Sequence, residues 1–192
     1  MMKLNSTVLC AALALWTSAG ALGCGDDEEG GAQGVMLASS QDSPIYRYVN
    51  PYPAPMADTP NPIGTTAAAA AEAFNDDGHL RIELTVVGFP PTRKFGSHLH
   101  RLDCQDPMKA GTHYQNMPFP AGGSATDPTY ANATNEAWLD FTTNAAGEGE
   151  TILTVDWIPR SGEAKAIIFH DMPSGVGGAS GPKLACLPIT GF

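Results

Sequence analysis

Apolar and polar positions alternate most cleanly over residues 79–87, where Leu80, Ile82, Leu84 and Val86 share one parity and Arg81, Glu83 and Thr85 the other. A period of two is the mark of a half-buried strand. Asn75-Asp76-Asp77-Gly78 just before it is a strong turn signal. The Ala-rich run 66–74, a helix on propensity alone, therefore reads as the other arm of a hairpin. The same logic makes 137–143 and 150–157 a second hairpin around Asn144-Ala145-Ala146-Gly147, and 164–170 a further strand. Short strands, Gly-rich turns and the lack of an amphipathic helix predict an all-β chain, an antiparallel Greek-key sandwich or barrel. Two connections, 104–135 and 171–184, have no periodicity and are rich in Gly, Pro and small residues. Long irregular loops in compact domains tend to carry function.

Composition agrees with a loop-rich β protein: 16% charged residues, with 21 Gly and 16 Pro. Twenty acidic residues against 10 basic ones give a net charge of -10, which argues against a nucleic-acid partner. With 192 residues and no internal repeat, one domain is expected. The N-terminus reads as a leader over 1–23: Lys3 supplies a positive charge, and 8–22 is apolar but short for a bilayer span. Ala21-Leu22-Gly23-Cys24 resembles a bacterial lipobox, with Ala where Leu is usual. Cys24 would then be the lipid-bearing first residue of an exported lipoprotein facing the periplasm or cell exterior. An ordinary secretory signal cleaved nearby is the alternative, and both place the domain outside the cytoplasm. Residues 24–63 are expected to be an acidic, then Gly/Ser/Gln-rich tether followed by a Pro-rich arm. That arm carries Tyr46, Tyr48 and Tyr52 and is read as extended, without regular structure. The folded domain is expected over 64–192.

Three of the five histidines fall within 93–113. His98 and His100 lie two apart among residues that suit a strand, which points both imidazoles to one face. On a helix they would diverge by about 200°. Gly96-Ser97-His98-Leu99-His100, then Cys104, then Gly111-Thr112-His113 resembles the copper,zinc superoxide dismutase family. There a strand ends Gly-x-His-x-His, a Cys follows, and a later loop supplies a third histidine. The strand and turn at 84–91, the IIFHD segment ending His170-Asp171, and GPKLAC at 181–186 are similar to further family elements in family order. The resemblance covers about residues 64–192. It implies a superoxide dismutase-type sandwich, superoxide as substrate, and one copper held by His98, His100, His113 and His170. It also implies a Cys104–Cys186 disulfide. Cysteine counting agrees: if Cys10 leaves with the leader and Cys24 carries lipid, these two remain, and in an exported chain they pair most simply. Two buried free thiols are the alternative.

The zinc half of the family site is missing. Residues 114–141 hold no histidine, Asn135 and Trp138 stand where zinc ligands would be, and Asp127 and Asp140 with one shared histidine make a poor zinc cage. Zinc is therefore expected to be absent, as in the copper-only branch. His113 would bind copper alone, with Glu136 the candidate to orient its other nitrogen. Lys183 replaces the family arginine beside copper, keeping the charge that attracts superoxide but losing the planar fork. The loop after His170 is short and carries little charge, which would leave copper more exposed. His79, at a turn with no partner motif, reads as a surface residue. The expected activity is superoxide dismutation with His113 and Lys183 taking part. The alternative is a copper-buffering lipoprotein on the same fold. A monomer is slightly favoured, and a lipid anchor is the only membrane contact expected.

Overall fold

The structure, a computed structural model, describes residues 34–40 and 44–192; the leader and Cys24 lie outside the described residues. The described residues form strands β1 (Val35–Ser39), β2 (Tyr46–Arg47), β3 (Ala68–Asp76), β4 (His79–Val87), β5 (Lys94–His100), β6 (Phe141–Thr142), β7 (Gly149–Val155), β8 (Ala166–His170) and β9 (Lys183–Pro188), with one short turn of 3-10 helix at Val176–Gly178. They build two antiparallel sheets, in the orders β1-β3-β4-β7 and β2-β9-β8-β5-β6. The chain changes sheet between β1 and β2, β2 and β3, β4 and β5, β6 and β7, and β7 and β8, and the crossings after β4 follow a Greek-key pattern.

The alternation over β4 does what period two requires. Leu80, Ile82, Leu84 and Val86 are all at most 2% exposed. They meet Phe95, Leu99, Ile167 and Phe169 of the other sheet in one apolar cluster. At its centre Phe89 packs edge-on against Phe95, Phe141 and Phe169 at centroid distances of 5.5, 5.7 and 5.1 Å. The β3–β4 hairpin is present, in register from Ala68 opposite Val87 to Asp76 opposite His79.

Strand β8 is buried on both sides. Ile167 and Phe169 face the main core, while Ala166 and Ile168 face a second cluster containing Cys104, Ala110 and Cys186. Cys104 and Cys186 form a disulfide across a sequence separation of 82. It fastens the loop after β5 to β9.

Two sequence expectations are corrected. The second hairpin does not form: 137–143 runs along β5 while β7 pairs with β4 in the other sheet. The turn itself is real, with Asn144 Oδ1 accepting from the amides of Ala146 (2.8 Å) and Glu148 (3.0 Å). Turn chemistry fixes a local reversal, not the sheet that each arm joins. The segment read as tether and arm also contributes strands. β1 pairs with β3, and β2 with β9. β1 is held mainly by backbone pairing and by Ser40, whose Oγ accepts from the Ala71 amide at 2.6 Å. Its Val35 and Met36 are exposed, so no apolar stripe marks it.

Gly147 closes the turn between the sheets with φ 77°, and a Cβ there would lie 2.3 Å from the Phe89 carbonyl oxygen. Left-handed strain and this clash add up. Gly147→Ala is expected to lower unfolding stability by about 2 to 3 kcal/mol, read as a shifted midpoint in urea denaturation at unchanged m-value. A variant as stable as the parent would remove this account.

Candidate metal centre

The pairing of β5 with β8 places Gly96 opposite His170, His98 opposite Ile168 and His100 opposite Ala166. Directly paired residues share a face. His98, His100 and His170 therefore stand on the side of the sheet away from the main core, the side that carries the disulfide. His113 comes from the loop. It bridges to His100, and the Tyr114 amide donates to the Leu99 carbonyl at 2.7 Å, which lays the loop across the end of β5. One ring nitrogen from each of the four lies within 4.8 Å of the others. His98 and His113 stack with ring centroids 3.9 Å apart.

Hydrogen bonds decide which nitrogens converge. His100 Nδ1 donates to the Gly111 carbonyl (3.1 Å) and His170 Nδ1 to the Gly181 carbonyl (3.2 Å). His113 Nδ1 donates to Glu136 Oε2 (2.7 Å). Their Nε2 atoms are left as lone pairs, and those of His100 and His170 face each other at 3.4 Å. His98 is turned the other way: its Nε2 meets Ser174 Oγ at 2.6 Å, while its buried Nδ1 has no partner. Burial, then the neighbouring His113, holds His170 down to about 3. Burial followed by His113 and His170 keeps His98 and His100 well below the usual histidine range. These rings are neutral at pH 7, the state that ligates a metal.

Glu136, fully buried, is saturated with donors. Oε2 also accepts from Trp138 Nε1 (2.8 Å), and Oε1 accepts from Gln115 Nε2 (2.8 Å). Gly178, with φ 69°, lies directly over this pair: a Cβ there would be 3.0 Å from the His113 ring and 3.1 Å from Glu136 Oε2. Lys183 Nζ donates to the carbonyls of Lys109 and Gly111. Burial and the nearby Lys109 pull its ammonium down to about 8. It lines a cleft of about 200 Å³ with His100, Thr112, His113, Thr126 and Gly178.

No family model matches the chain, and no curated protein matches it. Among solved structures it is similar to the clock protein EA4, at 17% identity and a TM-score of 0.49, covering 67% of this chain and 90% of that one. It is also similar to a double mutant of a SOD-like protein from Bacillus subtilis, at 19% identity and a TM-score of 0.45, covering 62% of this chain and 87% of that one. A single mutant of the same protein gives 19% identity, a TM-score of 0.44, and coverage of 62% and 86%. At these levels none of them assigns a function, which is read from the site itself.

The structure gathers the four histidines of the sequence reading, places Glu136 on His113, and sets Lys183 in the lining of the cleft. His79 lies outside the group at an exposed turn, 3.5 Å from Asp156. Asn135, Trp138 and Asp127, weighed above as sites for zinc, each have partners within the protein. Asn135 clamps the loop through the carbonyls of Met117 (2.9 Å) and Tyr130 (2.7 Å), Trp138 serves Glu136, and Asp127 caps a turn at the Thr129 amide (2.9 Å). Ser174 is the contact that sequence reasoning missed. Nothing in its neighbourhood, DMPSGVGG, marks it.

Proposed function

We propose that this chain is a copper-dependent superoxide dismutase with one copper and no zinc, converting two superoxide ions and two protons to oxygen and hydrogen peroxide. One observation carries the reading: four ring nitrogens without protein partners converge, while the opposite nitrogen of every ring is engaged by the protein. Lone pairs facing each other at 3.4 Å and an orphaned buried Nδ1 are unfavourable without a cation between them. An all-imidazole donor set suits copper. His98, His100, His113 and His170 would hold it, and copper bound there would supply one-electron exchange with superoxide.

The remaining roles fall to the protein. Glu136 occupies the His113 nitrogen that would face a second metal, which supports a copper-only site. Among the described residues no second group of three or more candidate ligands is gathered. His113 is the least buried of the four, its side chain 16% exposed and lining the cleft. When not occupied by copper and carrying a proton instead, its Nε2 would be the atom placed to pass that proton to reduced oxygen there, with Glu136 accepting from Nδ1. Lys183 supplies positive potential where the anion enters. In this reading the protein is exported and held at a membrane through lipid on Cys24.

The copper-buffering alternative is favoured by one feature: Lys183 is tied to two carbonyls and has a lowered pKa, so its pull on anions is weak. Metal analysis and superoxide consumption on copper-loaded protein freed of loose copper decide between them, with His113→Ala as control. One copper, no zinc, a rate near the diffusion limit of about 10⁸ to 10⁹ M⁻¹s⁻¹ and loss of that rate in the control support the enzyme. Bound copper with slow turnover supports buffering.

The enzyme reading makes a sharper prediction at Lys183. Its charge is present below about 8 and is lost as pH rises through that value. The rate should fall across this range in the parent, stay level in Lys183→Arg, and be several-fold lower at neutral pH in Lys183→Gln. Added salt should slow the parent more than the Gln variant.

A further inference from the structure

We infer that Ser174 and Asp140 form a relay that fixes the tautomer of His98 and so aims its Nδ1 at the metal. The functional meaning of this relay rests on the copper-site reading. Three of the histidines donate through Nδ1 to the carbonyls of Gly111 and Gly181 and to the Glu136 carboxylate, and so present Nε2. His98 alone must be held the opposite way, and among the described residues no carbonyl or carboxylate hydrogen-bonds to its ring. What touches it is a hydroxyl, which could act as donor or acceptor. The direction is set one contact further out.

Ser174 Oγ lies 2.6 Å from Asp140 Oδ1. Asp140 also accepts the Ser174 amide at Oδ2 (2.6 Å) and the Ser97 amide at Oδ1 (3.2 Å). A carboxylate taking three donors has no hydrogen to give, so the single hydroxyl hydrogen of Ser174 goes to it. Toward His98 the oxygen can then only accept, and the ring hydrogen must sit on Nε2. The lone pair is left on Nδ1, the buried nitrogen without a protein partner.

The geometry also gives Asp140 a purpose that its place in the sequence leaves open. It is not a ligand. It ties the loop bearing Ser174 to the strand bearing His98, because it grips the amides of Ser97 and Ser174 together. Ser174 is thus a positioning residue, acting on the metal through His98, and the loop must be in place for His98 to be set. Outer partners of metal-bound histidines typically tune affinity by roughly tenfold to a hundredfold.

The test uses Ser174→Ala, Ser174→Thr and Asp140→Asn in the oxidised, full-length mature protein. Long-range proton–nitrogen correlation spectra of the metal-free protein at neutral pH read the His98 tautomer. Competition with a chromophoric chelator reads copper affinity. The parent should show hydrogen on Nε2. Ser174→Ala should lose the single-tautomer pattern and weaken copper binding by roughly tenfold to a hundredfold, and threonine, which keeps the hydroxyl, should restore both. Asp140→Asn is the sharpest arm. Its amide can donate to the serine oxygen, freeing the hydroxyl hydrogen to turn toward His98 and reverse the tautomer. A parent with hydrogen on Nδ1, or an Ala variant with unchanged tautomer and affinity, overturns the relay. If the spectra behave as stated but the parent binds no copper, the relay stands and the copper reading fails. Should the Ala variant not fold, the Thr and Asn variants carry the test.

Discussion

Exchanging Glu136 for leucine is expected to lower the stability of the metal-free protein by about 2 to 5 kcal/mol, the cost of leaving buried donors without an acceptor. The reason is the three donors that end on this one side chain, from His113, Gln115 and Trp138. Leucine accepts none of them, and each buried donor left bare costs about 1 to 3 kcal/mol, offset in part by relief of the buried charge. Glutamine keeps the shape but turns an amide NH₂ toward one of the donors. A loss of about 1 to 2 kcal/mol and roughly tenfold weaker copper binding follow. Urea denaturation of metal-free samples at neutral pH measures the first quantity without interference from the metal. A leucine variant as stable as the parent would mean that the carboxylate does not organise this cluster.

The second large effect concerns the disulfide. Replacing Cys104 and Cys186 with serine releases a loop spanning 82 residues, worth about 4 kcal/mol in the chain-entropy model. For a chain of this size that is a fall in melting temperature of roughly 8 to 16 °C. The parent measured in reductant should approach the double variant, whereas the variant should not respond to reductant. Cys104 and Cys186 are 5% and 0% exposed. Reduction is therefore expected to be slow in the folded protein and to speed up as urea opens it.

How much of this was legible in the sequence depends on the range of the force involved. The β4 strand was, because burial on one face writes itself as alternation in nine consecutive residues. The pairing of His98 with His100 was legible for the same reason, since the pleat alone decides it. His113, His170, Glu136 and Lys183 came from resemblance to a family pattern, and no local rule joins residues 72 apart such as 98 and 170. The second hairpin misled because Asn144 and Gly147 do make a turn, but the choice of partner strand is settled by packing of Phe141 against Phe89 and Phe95. β1 escaped notice because an edge strand needs only backbone groups on one side, and its outward residues carry no pattern. Ser174 was invisible altogether. Its role exists only once a loop brings it to Asp140 and His98 at the same time.

Cys104 and His113 sit nine positions apart on the same loop. One is bonded to β9 and the other reaches the ends of β5 and β8 through the histidine group. In the copper-site reading, the covalent link and a bound copper would act as two clasps on the part of this flap that precedes Tyr114, a residue fixed in the main core, and neither would exist in a newly made chain that is both reduced and metal-free. Such a chain keeps its core, Tyr114 and Ala137 included, but is expected to present the stretch from about 101 to 112 to proteases, and maturation becomes readable as a cleavage pattern. Both clasps open gives rapid cutting within the flap. Either one closed gives slower cutting, and both closed gives cutting only by way of global unfolding.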